Sequence, residues 1–144
     1  NNMEDRFKYR GWHKKEKIMI EIDAIYYSNN SYIGHSKDGY SRSGSLDDIE
    51  LLQCMGLKDR DGKIIYEGDL VSCKIGFEDV WKTLITEWLP EVCAFRFYDP
   101  SMNGRAYEIY TDAFGEDDVD VESLKIVGDR YNDKRTVEII SLNF

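Results

Sequence analysis

Residues 56–71 read GLKDRDGKIIYEGDLV, and they decide the fold class. Asp61-Gly62 and Gly68-Asp69 are turn sequences, because glycine readily adopts the positive φ angles that tight reversals require. Between these turns the run KIIY is rich in the β-branched and aromatic residues that fit a pleated strand. Another apolar run, at residues 70–75, follows the second turn directly. The segment therefore predicts short strands joined by tight turns.

Alternating apolar residues predict strands outside this segment as well. Ile18, Ile20 and Ile22 recur with the period of two that is typical of a half-buried strand. Residues 28–45 show no such pattern, and we expect them to form a long loop or a loosely paired hairpin. The predicted fold class is mainly β with little helix, and the further strands are expected at 18–27, 51–55, 84–88, 92–98, 107–111, 124–127 and 137–142. A helix that begins at Ser45, with Asp48 three residues later, is the alternative to the strand at 51–55, and we favour the strand.

Size, composition and cysteine spacing point to one domain in a reducing compartment. A chain of 144 residues with 42% hydrophobic residues can bury a core without disulfides. We expect a single domain over residues 3–144, and we treat residues 1–2 as a tag or vector remnant. The cysteines form no CxxC pair, and we expect Cys73 and Cys93 to be small buried thiols. No apolar run approaches the roughly 18 residues of a membrane span. These features predict a cytoplasmic protein without a membrane segment, bound metal or cofactor.

The start of the chain is basic, although the formal net charge of the whole chain is -9. That net charge argues against nucleic-acid binding, because affinity for phosphates comes mainly from lysine and arginine. Lys8, Arg10 and Trp12 could nevertheless contact phosphates and stack on bases. The same alternation of residues also fits an amphipathic strand at the edge of a sheet, which is the interpretation that we favour.

Two pairs of carboxylates around the turns suggest chemistry, and each pair has a structural alternative. Glu67 and Asp69 are spaced to share one face of an extended segment and to act as acid and base, or they hydrogen-bond nearby amides in a turn. Asp59 and Asp61 resemble the start of a calcium loop, but Gly68 stands where the last ligand should be, so we favour a tight turn. The sequence contains no known catalytic motif, which favours a non-enzymatic protein.

Three blocks occur in order along the chain: residues 8–12 (KYRGW), 52–71 (LQCMGLKDRDGKIIYEGDLV) and 126–132 (IVGDRYN). Together they resemble the YopX family of bacteriophage and prophage proteins. Gly11 and His13 depart from the residues that are usual in that family. The resemblance implies a small β-barrel-like fold, SH3-like or YopX-like, with an extra sheet and long loops, and it implies a phage or prophage origin. It implies no biochemical activity and carries over no catalytic residue.

These observations predict a phage-encoded or prophage-encoded accessory protein that binds a host or phage protein through a charged surface. The alternatives are a barrel that binds single-stranded nucleic acid and a hydrolase that uses Glu67 and Asp69. Exposed strand edges would also permit a homo-oligomer. The candidate surface combines residues of the first block with the end of the central turn, namely Lys8, Arg10, Trp12, Tyr66, Glu67 and Asp69.

Overall fold

The computed structural model describes residues 7–76, 80–91, 93–99, 105–110 and 118–133. The predicted strand at 137–142 and the presumed remnant at 1–2 lie outside these residues. Within them the regular elements are strands and short 3-10 turns, with no α-helix, which confirms the mainly β fold class. The chain divides into two compact units, Asn1–Gly56 and Leu57–Phe144. That the whole chain forms a single domain stays a prediction.

The first unit is an antiparallel sheet in the order β4-β3-β2-β1-β5. Residues 9–13 pair with residues 18–22 on one side and with residues 49–53 on the other. The basic strand is therefore central, and our interpretation of it as an edge strand is wrong. The strands of this sheet are β1 (Tyr9–His13), β2 (Ile18–Tyr26), β3 (Ser31–Ser36), β4 (Ser41–Ser45) and β5 (Ile49–Lys58), whose last two residues belong to the second unit.

The segment 28–45 forms the hairpin of β3 and β4, which was the second of our two alternatives for it. Its turn is closed by the Ser36 amide, which donates to the Tyr40 carbonyl at 3.0 Å, and by Asp38, whose carboxylate accepts the Tyr40 amide at 3.2 Å. Tyr32, Gly34 and Ser36 alternate on the buried face of β3. Because two of these three residues are glycine and serine, the strand carries no apolar period in the sequence.

The core of the first unit confirms the predicted isoleucine face of β2. Ile20, Tyr32 and Ile49 are buried against one another, and the residues packed around them are Ile18, Ile22, Leu46 and Leu51. A shift in the β2–β3 register between Ile22 and Ala24 marks a β-bulge. This bulge places Ile25, rather than Ala24, opposite the buried Tyr32.

The second unit contains a ring of strands. Its sheet order is β11-β10-β9-β8-β7-β12, and a further pairing of β11 with β7 closes a ring of five strands. This arrangement confirms the barrel-like prediction. Val71, Leu84, Phe97 and Val119 are completely buried side chains of the ring strands. The strands of the unit are β6 (Ile64–Tyr66), β7 (Asp69–Ile75), β8 (Val80–Leu89), β9 (Ala94–Asp99), β10 (Arg105–Tyr110), β11 (Asp118–Asp120) and β12 (Lys125–Asp129).

Two cysteines of this unit have opposite environments. Cys73 is completely buried, as predicted, and burial raises the pKa of its thiol to about 12, followed by the smaller effects of nearby carboxylates. Cys93 is exposed, so its predicted burial is wrong. The chain turns after Pro90, whose carbonyl accepts the Cys93 amide at 3.4 Å, and Cys93 takes a positive φ of 52°. The strand therefore begins at Ala94, one residue too late to include Cys93.

Candidate functional site

The central turn of the opening segment is capped by Asp69. Its Oδ2 accepts the Tyr66 amide at 2.8 Å, and the Asp69 side chain is 1% exposed. Gly68 has a φ of +89°, and its amide donates to the Thr86 carbonyl at 2.8 Å. Glu67 is half-buried beside it. We interpreted this carboxylate pair either as an acid and a base or as hydrogen-bond acceptors in a turn. The structure shows Asp69 in the second arrangement, with its carboxylate bonded to the Tyr66 amide.

The preceding turn is organised by Asp59, which is also buried. Its Oδ1 accepts the amides of Asp61 and Lys63, each at 2.9 Å, and its Oδ2 accepts the Ile126 amide at 3.0 Å. Burial alone would raise the pKa of this carboxyl, but the three amide donors together hold that pKa below its ordinary value. The segment is the tight turn that we favoured over a calcium loop, and Asp59 fastens it to β12.

A third aspartate joins two of the sequence blocks in space. Asp129 lies opposite Asp69 in the β7–β12 ladder, and its Oδ1 accepts the amides of Tyr131 at 3.0 Å and Asn132 at 2.8 Å. The Arg130 amide donates to the Gly68 carbonyl at 2.8 Å. Residues 65–71 and 126–132 therefore form one network of turns. Residues 52–71 and 126–132 both carry the resemblance to the YopX family, but the sequence does not predict that the two blocks are in contact.

A partly buried ion pair lies in the ring of strands and was not predicted. The Lys82 Nζ is 3.1 Å from the Asp99 Oδ2, and the Asp99 side chain is only 2% exposed. Cys73 is the ladder partner of Lys82, but the raised pKa of its thiol keeps it protonated and therefore weakly nucleophilic at neutral pH. The spacing of lysine and aspartate on β8 and β9 gives no signal of this pairing until the strand register is known.

The basic strand presents little of its predicted binding surface. Lys8 is exposed, Arg10 is half-buried, and Trp12 is only 8% exposed. Tyr66 is buried as well. Lys8 is thus the one exposed side chain among the six residues of the candidate surface. A binding role for these residues stays a prediction.

An exposed patch that the sequence did not predict lies on the hairpin of β2 and β3, which includes the short turn Tyr27–Asn29. Tyr26 is 45% exposed, Tyr27 is 77% exposed and Ile33 is 43% exposed. His35 follows Ile33 on the same face, because successive residues of β3 alternate between buried and exposed. We call Tyr26, Tyr27, Ile33 and His35 the β3 patch. The sequence left residues 28–45 as a loop or a loosely paired hairpin, so Ile33 and His35 were assigned to no face, because a face can be assigned only to a strand.

His35 is held at the border of this patch by a carboxylate. Its Nδ1 lies 2.9 Å from the Asp23 Oδ2, and both side chains are about half exposed to solvent. The hydrogen bond to Asp23 raises the pKa of His35 from its ordinary value. Among the described residues no group of histidine, cysteine and carboxylate side chains is arranged to hold a metal ion. Nor does any described helix have the length and apolarity needed to cross a membrane.

The antiparallel sheet and the ring of strands define a mainly β protein whose arrangement is found in a solved structure. That structure is titled "Crystal structure of protein EF1440 from Enterococcus faecalis"; it is 16% identical in sequence, with a TM-score of 0.53 over 90% of this chain and 96% of that chain. The family model described as "YopX protein" matches residues 8–138. The chain belongs to the YopX family. A search of curated proteins finds no match.

Proposed function

We propose that this chain is a phage or prophage accessory protein that binds a host or phage protein in the bacterial cytoplasm and performs no chemistry itself. The observation that carries the proposal is the β3 patch. Tyr26, Tyr27 and Ile33 place two aromatic rings and a branched aliphatic side chain in solvent on one hairpin. Single exposed apolar residues are common on soluble proteins, but a group of them with tyrosine among its members is typical of a protein interface.

The pairing of β2 with β3 places the exposed side chains of the two strands on one face of the hairpin. Ala24 lies opposite Ile33, and Tyr26 lies opposite Ser31, so the two strands contribute to one continuous face. Ile33 is next to Ser43 of β4, whose small side chain leaves it uncovered. Tyr32, the neighbour of Ile33 in sequence, is buried on the other face and fixes the strand against the core. The exposed side chains therefore stand on a strand that is packed against the core of the first unit.

The distribution of charge also supports this location. Unit Asn1–Gly56 contains 8 of the 19 basic and 9 of the 28 acidic residues, so its formal net charge is -1. Unit Leu57–Phe144 contains the other 11 basic and 19 acidic residues, and its net charge is -8. The unit that carries the β3 patch is thus close to neutral as a whole, and its net charge opposes association less than that of the second unit would. This departs from our expectation that a charged surface would bind the partner.

An affinity-capture experiment with matched double variants tests the proposal. The immobilised protein is incubated with lysate of a bacterium that carries the gene, and the recovered proteins are quantified by mass spectrometry. We expect Tyr26→Ser with Ile33→Ser to reduce recovery of a specific partner at least about tenfold, which corresponds to about 1.4 kcal/mol. Val80→Ser with Val127→Ser is the control, because Val80 and Val127 are 41% and 52% exposed but lie in the second unit. Equal recovery by both double variants would overturn the proposal.

A further inference from the structure

Among the described residues, the outermost strand of the first sheet, β4, has one side without a neighbouring strand. The Ser36 amide donates to the Tyr40 carbonyl, and the Leu46 amide donates to the Asn30 carbonyl. These two pairs bracket the β3–β4 ladder, and in an antiparallel ladder the paired residues alternate between hydrogen-bonded and non-hydrogen-bonded. It follows that Arg42 and Gly44 direct their backbone groups toward β3. The backbone groups of Ser41, Ser43 and Ser45 point the other way, to the open edge of the sheet.

In the part of the chain that the structure describes, this edge lacks several of the devices that prevent strands from pairing between molecules, although β4 is short and carries one charged residue. Such devices are lysine or proline on the strand, a bulge, or a covering segment. β4 reads SRSGS, and its pairing with β3 runs through five consecutive residues without a shift of register. Its single charged residue, Arg42, turns its guanidinium to Glu16, 3.3 Å away. The edge therefore presents small polar side chains and an accessible backbone.

We propose that β4 pairs antiparallel with β4 of a second copy of this chain, about a two-fold axis through Ser43. In this register Ser43 faces Ser43 of the other copy, and Ser41 faces Ser45. Because these are the residues whose backbone groups point to the open edge, the register satisfies them reciprocally. Arg42 then faces Gly44 of the other copy, so the pairing brings no two arginines opposite each other. The proposal does not rest on the function proposed above, since it uses the edge and not the face of the sheet.

Two further observations favour a second copy as the occupant. Tyr40 is 70% exposed directly before β4, and the same register brings it near the turn Leu46–Asp48 of the other copy, so its ring should lose solvent exposure on pairing. The unit that would self-associate carries a net charge of -1, whereas the other unit carries -8. Pairing through β4 therefore joins the nearly neutral units. A contact limited to a short strand edge is small, so we expect a dissociation constant in the micromolar range, on the order of 10–100 μM.

Sedimentation velocity over a concentration series, on the full chain, tests the proposal. We expect the wild-type protein to pass from monomer to dimer between about 1 and 200 μM. Ser43→Pro removes the amide on the axis but no bond to β3, so this variant should be monomeric at every concentration, with an unchanged circular dichroism spectrum. Ser43→Thr, which keeps the amide and favours a strand, should dimerise like the wild type.

A second edge variant keeps the test decisive if proline disturbs the hairpin. Ser43→Lys places two like charges on the axis and preserves the amide, and it should also be monomeric. Amide hydrogen exchange of Ser43 should slow as the wild-type concentration rises, whereas exchange in the exposed turn at Gly62 should not change. A wild-type protein that is monomeric up to about 200 μM overturns the proposal. So does a dimer that persists in both Ser43→Pro and Ser43→Lys.

Discussion

Asp69 and Asp129 lie opposite each other in the antiparallel ladder of β7 and β12, and each carboxylate accepts backbone amides from its own turn. Like charges placed directly across a ladder are ordinarily unfavourable. Here the Asp69 carboxylate accepts the Tyr66 amide and the Asp129 carboxylate accepts two amides, which compensates for part of the repulsion. Three of the aspartates in and beside the central segment, Asp59, Asp69 and Asp129, thus accept the backbone amides that hold their turns.

Replacing Asp59 should reveal how much this fastening contributes to stability. We expect Asp59→Asn to lower the free energy of unfolding at pH 7 by about 1–3 kcal/mol. The asparagine side chain would put an NH₂ group in place of one carboxylate oxygen, so a backbone N–H such as that of Ile126 would lose its acceptor. Asp61→Asn is the control in the same turn, and it should change stability by less than about 0.5 kcal/mol because Asp61 is exposed. Urea unfolding at pH 7 measures both.

The stability difference between the wild type and Asp59→Asn should also depend on pH. The pKa of Asp59 is lower in the folded protein than its ordinary value of 3.8, so the folded state prefers the charged carboxylate. Its contribution to stability is complete above the ordinary value and is lost as the pH falls through the folded pKa. The difference in stability between wild type and Asp59→Asn should therefore shrink below about pH 4. A difference that grows on acidification would contradict this account.

Two glycines with similar backbone angles separate conformational strain from steric contact. Gly62 and Gly68 have φ values of +81° and +89°, but a Cβ on Gly62 would meet nothing within 4 Å, whereas one on Gly68 would lie 2.7 Å from the Tyr131 Cε2. Gly62→Ala should cost about 1–2 kcal/mol from backbone strain alone. Gly68→Ala should cost about 1–3 kcal/mol more, measured by urea unfolding, because the Tyr131 ring must move. Equal costs would show that the ring moves freely.

One buried hydroxyl should be dispensable. Thr86 is completely buried, and its Oγ1 has no hydrogen-bond partner in the described part of the chain. Valine has nearly the same shape and removes the cost of burying that hydroxyl, so we expect Thr86→Val to stabilise the protein by about 1 kcal/mol. Thr83→Val on the same strand is the control, because Thr83 is only half-buried. Thermal unfolding that shows Thr86→Val to be less stable than wild type would be the opposite result.

The hydrogen bond at the border of the β3 patch should be visible by titration. Asp23 raises the pKa of His35 above the ordinary value of 6.5, because its carboxylate favours the protonated imidazole. NMR titration should therefore place the His35 pKa above 6.5 in the wild type and lower it in Asp23→Asn. Asp38→Asn is a suitable control, since Asp38 caps the turn after β3 instead. An unchanged His35 pKa in Asp23→Asn would exclude the pairing in solution.

The parts of the fold that depend on local pattern could be predicted. The isoleucines of β2 alternate because one face of that strand is buried. The turn before β6 could be predicted from Asp61-Gly62, because glycine accepts the positive φ that this turn requires. The hairpin β3–β4 could be predicted only as one of two alternatives. Gly34 and Ser36 occupy buried positions there, so burial leaves no apolar trace in the sequence.

The parts that depend on register between distant strands could not be predicted. Asp59 reaches the Ile126 amide, and Lys82 reaches Asp99, only because the strands align as they do. The central position of β1 was missed for the same reason, since Trp12 and its alternating neighbours fit an edge strand and a central strand equally well. The exposed face of β3 became visible only once the strand itself was known.

Photo-cross-linking from position 33 tests the central claim most directly. A photoreactive amino acid replaces Ile33 in one protein and Lys63, an exposed residue of the second unit, in another. Both proteins are irradiated in cells of a bacterium that carries the gene, and cross-linked products are identified by mass spectrometry. We predict a specific protein adduct at position 33 that is absent at position 63. Adducts at position 63 alone, or none at position 33, would contradict the account.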